Sequence, residues 1–330
     1  MKGILNRLYE HNTLTREEAK TILIQLTQNQ FTEAQMVSFM TIYNMRAITL
    51  QELQGFREAL LELCVKVDFS DYNTIDLCGT GGDGKDTFNI STLTSFVVAG
   101  AGQKVAKHGN YSISSVSGSS NMLEYFGYKF SNDESQLKKE LEEANICFLH
   151  APLFHPAMKA VGALRKDLKV KTFFNILGPL VNPSQPKNQM VGVFSLELAR
   201  LYNFLYQDSE KNYKIIHSLD GYDEISLTSD FKMFDNQGEK LVKIEEINFK
   251  KLTQADIHGA DSIEENGKIF QNILEGNGTQ AQNEVVLANA TYALQTITKQ
   301  DLQTCKTMAE DSLYNQKALQ TLKKLIKLQA

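Results

Sequence analysis

The stretch Asp76-Leu-Cys-Gly-Thr-Gly-Gly-Asp-Gly-Lys-Asp-Thr-Phe-Asn-Ile-Ser-Thr92 constrains the fold more than any other part of the chain. The apolar run from Thr74 to Cys78 predicts a buried strand, four glycines follow within six residues, and a helix opens at Asn89-Ile90-Ser91-Thr92. Strand, glycine-rich turn and helix N-terminus in succession make an anion site. Glycine lets the backbone approach a ligand closely, and the free N–H groups of the helix's first turn point at it. A phosphate or diphosphate is the expected ligand, and Thr87, Asn89, Ser91 and Thr92 add side-chain donors at the same helix start. Gly79, Gly84 and Lys85 also fall at P-loop spacing, but Asp86 stands where that motif needs Ser or Thr to hold magnesium, which excludes a nucleotide P-loop. A glycine-rich turn with no ligand is the plainer alternative.

Two patterns flank this stretch. Before it, residues 1–70 read as a helical unit: Thr15 with Glu18, Thr32 with Gln35 and Thr49 with Glu52 form three capping boxes, each followed by apolar residues at helical spacing. After it, short apolar runs at 74–78, 103–107, 145–149, 189–194 and 213–218 alternate with helices at 91–101, 119–126 and 133–144. That alternation predicts an α/β domain over 71–330, with a mostly parallel central sheet and helices on its faces. Residues 152–187 interrupt it with helix and Pro-containing turns and are expected to return to the helical unit, with Phe174 to Pro183 as the bend. The tail from 283 reads as helix.

With 330 residues the chain is long enough for one large and one smaller domain. A net charge of −5 argues against electrostatic coating of nucleic acid, and obliges an anionic substrate to find local cations or a metal. Cys64, Cys78, Cys147 and Cys305 lack metal-ligand spacing and read as reduced core thiols. No apolar segment is long enough for a bilayer, so a cytoplasmic location and no membrane partner are expected.

Three further groups carry chemistry. Lys107-His108-Gly109-Asn110 ends a strand and precedes a serine-rich run, which places a second arm of the anion site at a strand's carboxyl end. Asp223-Glu224 is an adjacent carboxylate pair that can serve one task only from a turn, which Asp220-Gly221 supplies; facing a diphosphate it needs a hard cation, and magnesium suits. Arg165 is either a solvated member of a basic face or a bidentate clamp for a carboxylate.

In this order the pieces resemble the anthranilate phosphoribosyltransferases, enzymes of tryptophan biosynthesis. The resemblance spans nearly the whole chain, through Gly79 to Asp83, Asn89 to Thr92, Lys107 to Asn110, Ser117 to Ser119, His155 to Lys159, Asn175 to Pro183, Asp223-Glu224 and Asn283 to Leu287. It implies a homodimer formed through the helical domain, with phosphoribosyl diphosphate and anthranilate as substrates and two magnesium ions. The diphosphate donor would contact Gly79, Gly82, Asp83, Thr87, Asn89, Ile90, Ser91, Thr92, Lys107, His108, Gly109, Asn110, Ser115 and Ser119. Ser91 and Glu224 would hold one ion, and Asp223 with Glu224 the second. Anthranilate would meet Gly79, Asn110 and Arg165, the arginine taking its carboxylate. Two positions depart from the family: Tyr111 replaces an arginine, and Ser119-Ser120-Asn121 replaces Ser-Ala-Asp. A pyrimidine nucleoside phosphorylase and a non-catalytic nucleic-acid-binding relative share the fold; phosphorolysis of uridine, or a salt-dependent shift on single-stranded DNA, separates them. His108 is a candidate proton acceptor.

Overall fold

The structure, a computed structural model, describes residues 1–112 and 116–329. It separates into two compact units, Met1–Lys66 with Ala151–Pro183, and Val67–His150 with the chain from Ser184 on.

The first unit is helical, with helices Lys2–Tyr9, Arg16–Thr27, Glu33–Met45 and Leu50–Leu63. All three sequence-predicted capping boxes close as expected. The third also builds a buried hub. The carboxylate of Glu52 accepts from the Thr49 and Leu14 N–H groups at 2.9 and 3.0 Å, from the Tyr43 hydroxyl at 3.2 Å, and from Arg46 at 2.9 and 2.5 Å. Burial alone would raise its pKa, but the hydrogen bonds from Arg46 and the backbone outweigh it and leave the pKa below the usual range. The returning segment adds helix Lys159–Leu168 and one-turn helices at Phe173–Ile176 and Gly178–Leu180. Phe173 stacks on Phe56 with 4.6 Å between ring centroids, and the Arg57 Nε donates to the Leu180 carbonyl at 3.1 Å.

The second unit holds a seven-stranded sheet: β1 (Thr74–Gly79), β2 (Lys104–Gly109), β3 (Ile146–His150), β4 (Asn188–Gly192), β5 (Asn212–Ser218), β6 (Phe231–Asp235) and β7 (Gly238–Val242). Its order is β3-β2-β1-β4-β5-β6-β7; the first five strands are parallel, and β6 and β7 add an antiparallel hairpin. Helix Ile90–Gly100 crosses from β1 to β2, and the long, mostly buried helix Gln280–Thr298 packs against it and the sheet. The five expected strands occur, with ends shifted by a residue or two. The hairpin and helix Ile263–Leu274 go beyond the sequence pattern. β7 (Gly-Glu-Lys-Leu-Val) is an exposed edge without an apolar run, so its sequence carries little strand signal.

Chain order reverses between β1 and β4, since β2 and β3 lie on one side of β1 and β5 lies beyond β4. In parallel sheets the crevice outside such a reversal is where ligands bind, and the glycine-rich turn leaves β1 there. Among the described residues no helix is long and apolar enough to cross a membrane.

Candidate active site

Gly79 and Gly192 end β1 and β4 side by side in register, and the Thr80 N–H donates to the Gly192 carbonyl at 3.0 Å. The segment after β5 crosses directly over them. A side chain at Gly192 would run into the main-chain carbonyl of Asp223, and one at Gly79 would lie 2.5 Å from its carboxylate. This close approach lets Asp223 dock on the turn, where its Oδ2 accepts from the Gly81 N–H at 2.6 Å and from Thr80 Oγ1 at 3.4 Å. Burial, and after it the charge of Asp83, pushes the Asp223 carboxyl up to about 7.

The Glu224 side chain lines a cleft with Leu77, Cys78, Ser91, Thr94, Gly192 and Asn289, among others. Burial and the neighbouring Asp223 raise its pKa, and Lys107 and the Ser91 hydroxyl oppose the rise. Lys107 is itself buried. Its Nζ donates to the Leu77 carbonyl and lies 3.5 Å from Ser91 Oγ, and burial lowers its pKa against the charges of Cys78, Asp76 and Glu224. Asn289 fixes the residue after Glu224 by accepting from the Ile225 N–H at 3.1 Å and donating to its carbonyl at 2.9 Å. Ser218 Oγ donates to the Glu224 carbonyl at 2.6 Å.

The second arm follows β2. The His108 N–H donates to Asp76 Oδ1 at 3.1 Å, and the Asn110 carbonyl accepts from the Ser120 N–H at 3.2 Å and Ser119 Oγ at 3.4 Å. Asn89 does not cap its helix with its side chain; instead it exchanges hydrogen bonds with Ser117, at 3.0 and 3.1 Å. Thr92 is buried in that helix, and Thr87 forms an isolated bridge with His258. Tyr111 lays its ring edge-on to His150 at 4.9 Å and donates its hydroxyl to Glu124. Asn121 Oδ1 accepts the N–H groups of Ser112 and Gly118 at 3.1 and 3.0 Å, closing the base of the loop. Ser115 lies outside the described residues.

Arg165 belongs to the helical unit. Its guanidinium lies over the Phe174 ring, 5.1 Å from the centroid, its Nε is buried without a hydrogen-bond partner, and burial lowers its pKa to about 10. A buried donor without a partner is costly, which makes the Arg165 Nε a candidate contact for an anion. Its side chain is not fully solvated, since burial already lowers its pKa. Gly192, Asn289 and Ser218 contribute to the site but carry no local sequence signal: a lone glycine, a helical asparagine and a strand-end serine look ordinary until the topology joins them.

Residues 71–319 match the glycosyl transferase family a/b domain and residues 2–64 its helical bundle domain. The chain is 58% identical over 328 residues to an anthranilate phosphoribosyltransferase of Flavobacterium johnsoniae, with 99% of each chain covered. The chain belongs to the anthranilate phosphoribosyltransferase family. A relative with the same description from Bacteroides thetaiotaomicron is 49% identical over 329 residues, again with 99% of each covered. Among solved structures, the family member from Thermus thermophilus superposes with a TM-score of 0.89 at 28% identity, covering 99% of both chains. The Saccharomyces cerevisiae member, described in complex with PRPP and Mg, gives 0.86 at 25% identity over 95% of this chain and 92% of that one.

Proposed function

We infer that this chain transfers the phosphoribosyl group of 5-phosphoribosyl 1-diphosphate to the amine of anthranilate, releasing diphosphate, as the second step of tryptophan biosynthesis from chorismate. The observation that carries the reading for this chain's own residues is the adjacent carboxylate pair at the end of the glycine-rich strand: Asp223 accepts from Gly81, and Glu224 shares a cleft with Ser91. Carboxylates at a phosphate site serve a bound substrate only with a cation between them. The donors are all hard oxygens, which fits magnesium. Ser91 with Glu224, and Asp223 with Glu224, are the proposed holders of two ions. When bound, magnesium supplies charge neutralisation of the departing diphosphate.

The chain's own contribution is placement. Gly79, Gly82, Asp83, Thr87 and the helix start from Asn89 to Thr92 frame the diphosphate, while Lys107 to Asn110, Ser115 and Ser119 frame the rest of the donor. Lys107 acts from below, its buried charge holding Ser91 and offsetting Glu224. Arg165 takes the anthranilate carboxylate, with Gly79 and Asn110 as the remaining acceptor contacts. An aniline nitrogen is already neutral and nucleophilic, so no strong base is needed. His108 is the candidate proton acceptor, and near-normal turnover of His108→Ala would remove it from that role. A cytoplasmic homodimer joined through the helical unit, where Tyr9 and Met45 are exposed, completes the proposal; sedimentation at micromolar concentration checks it.

The direct test is loss of anthranilate fluorescence with phosphoribosyl diphosphate, with and without magnesium. Magnesium-dependent loss is expected, and Arg165→Ala should raise KM for anthranilate roughly tenfold or more, the scale of one lost charge-assisted contact. Well-folded protein that leaves anthranilate unchanged but phosphorolyses uridine or thymidine would overturn the reading.

A further inference from the structure

Lys85 stands in the glycine-rich turn at the spacing where a P-loop carries its phosphate-binding lysine, although Asp86 rules out that motif. The turn fixes where this side chain goes. Gly84 and Asp86 on either side take positive φ values of 73° and 49°, and the Lys85 N–H is tied to Asp83 Oδ1 at 3.2 Å. The side chain then runs across the Gly221-Tyr222 turn, so that a Cβ on Gly221 would lie 3.7 Å from its Cε. Its ammonium sits over the Tyr222 ring, 4.9 Å from the centroid. It forms no ion pair among the described residues, although Asp83 precedes it by two residues and Asp223 follows Tyr222 directly.

A lysine ammonium is strongly hydrated, and one held on an aromatic face beside an anion site keeps its donors available for an incoming anion. The other lysine of the site, Lys107, is buried and committed to the Leu77 carbonyl and Ser91. We propose that Lys85 is a further substrate-binding residue whose ammonium bridges the glycine-rich turn and the carboxylate segment and takes the diphosphate of the donor. The C–O bond to the anomeric carbon breaks with its electron pair going to the diphosphate oxygen. Negative charge therefore grows on the group that Lys85 meets, and a cation already in place stabilises it without reorganisation. The inference rests on the phosphoribosyl-transfer reading and deepens it.

The test pairs steady-state kinetics with direct titration of inorganic diphosphate in the presence of magnesium. Lys85→Met keeps most of the aliphatic stem and removes the charge. KM for the donor and the inhibition constant of diphosphate should each rise about tenfold to a hundredfold, the scale of one charged hydrogen bond, with KM for anthranilate unchanged. The dependence of diphosphate binding on salt should flatten in step, and Lys85→Arg should restore most of the affinity. Unfolding midpoints should stay together, because the ammonium makes no hydrogen bond among the described residues. Donor and diphosphate constants within twofold of the parent protein in Lys85→Met would overturn the inference. A parent protein that neither turns over nor binds diphosphate with magnesium would instead overturn the reading beneath it.

Discussion

A methyl group added at Gly192 would meet the Asp223 main-chain carbonyl, and neither partner can move cheaply, since one ends β4 and the other is tied to the glycine-rich turn. Gly192→Ala should therefore cost about 1–3 kcal/mol, the range for overpacking a close contact. It should also lower kcat/KM for the donor, because the carboxylates are what shifts; urea unfolding with parallel kinetics checks both effects. Asn121 predicts the contrary. Only its oxygen is used by Ser112 and Gly118, so Asn121→Asp keeps both bonds and should change stability by less than about 1 kcal/mol, whereas Asn121→Leu removes the acceptor of both bonds and should lower donor affinity. Residues of this kind divide cleanly by legibility. Gly79 could be read because it lies in a cluster with a known physical purpose. Gly192 could not, because a single glycine in Met-Val-Gly-Val-Phe says nothing until its strand neighbour and the overlying segment are known. Lys107 could be placed at a strand's carboxyl end from the sequence, but its burial could not, since burial is a property of the neighbouring elements.

At the scale of elements, the capping boxes were fully legible because the signal and the structure are the same four residues. The third box is also a tertiary device. Glu52 is depressed below its ordinary carboxylate range, so its contribution is present above the unfolded pKa and is lost as pH falls through the lower folded value. Glu52→Gln leaves the Arg46 guanidinium partly buried without its charge partner, and should cost about 3–5 kcal/mol at neutral pH, as broken buried pairs do. It should also flatten the acid limb of stability against pH, measured by thermal unfolding from about pH 6 down to about pH 2, which runs from above the ordinary carboxylate pKa to well below it. An unchanged acid limb would show that another group carries it. The β6–β7 hairpin shows the opposite case. Its strands carry charges at Lys232, Glu239 and Lys240, and it joins the sheet by backbone pairing with β5, which no side-chain periodicity announces.

For the whole molecule, the helical unit is assembled from two separated parts of the chain. Met1–Lys66 contributes four helices, but the aromatic cluster of Phe39, Tyr43 and Phe56 is completed by Phe173 from the later segment. The same later segment carries Arg165, whose guanidinium lies over Phe174, the ring stacked on Phe173 at 4.3 Å. Completing the helical core and placing the proposed anthranilate contact are thus one packing event. A fragment of residues 1–66 should keep helical far-ultraviolet dichroism from its capped segments yet lack a cooperative thermal transition, because Phe56 loses its stacked partner and small units have little core to spare. Joining residues 151–183 to it through a flexible linker should restore cooperativity, and Phe173→Ala in that joined chain should cost about 3–5 kcal/mol or abolish the transition. In the full-length protein the same substitution should raise KM for anthranilate more than KM for the donor, since it loosens the ring beneath Arg165. A fragment of residues 1–66 that melted cooperatively on its own would show that the later segment is an addition to the helical core rather than part of it.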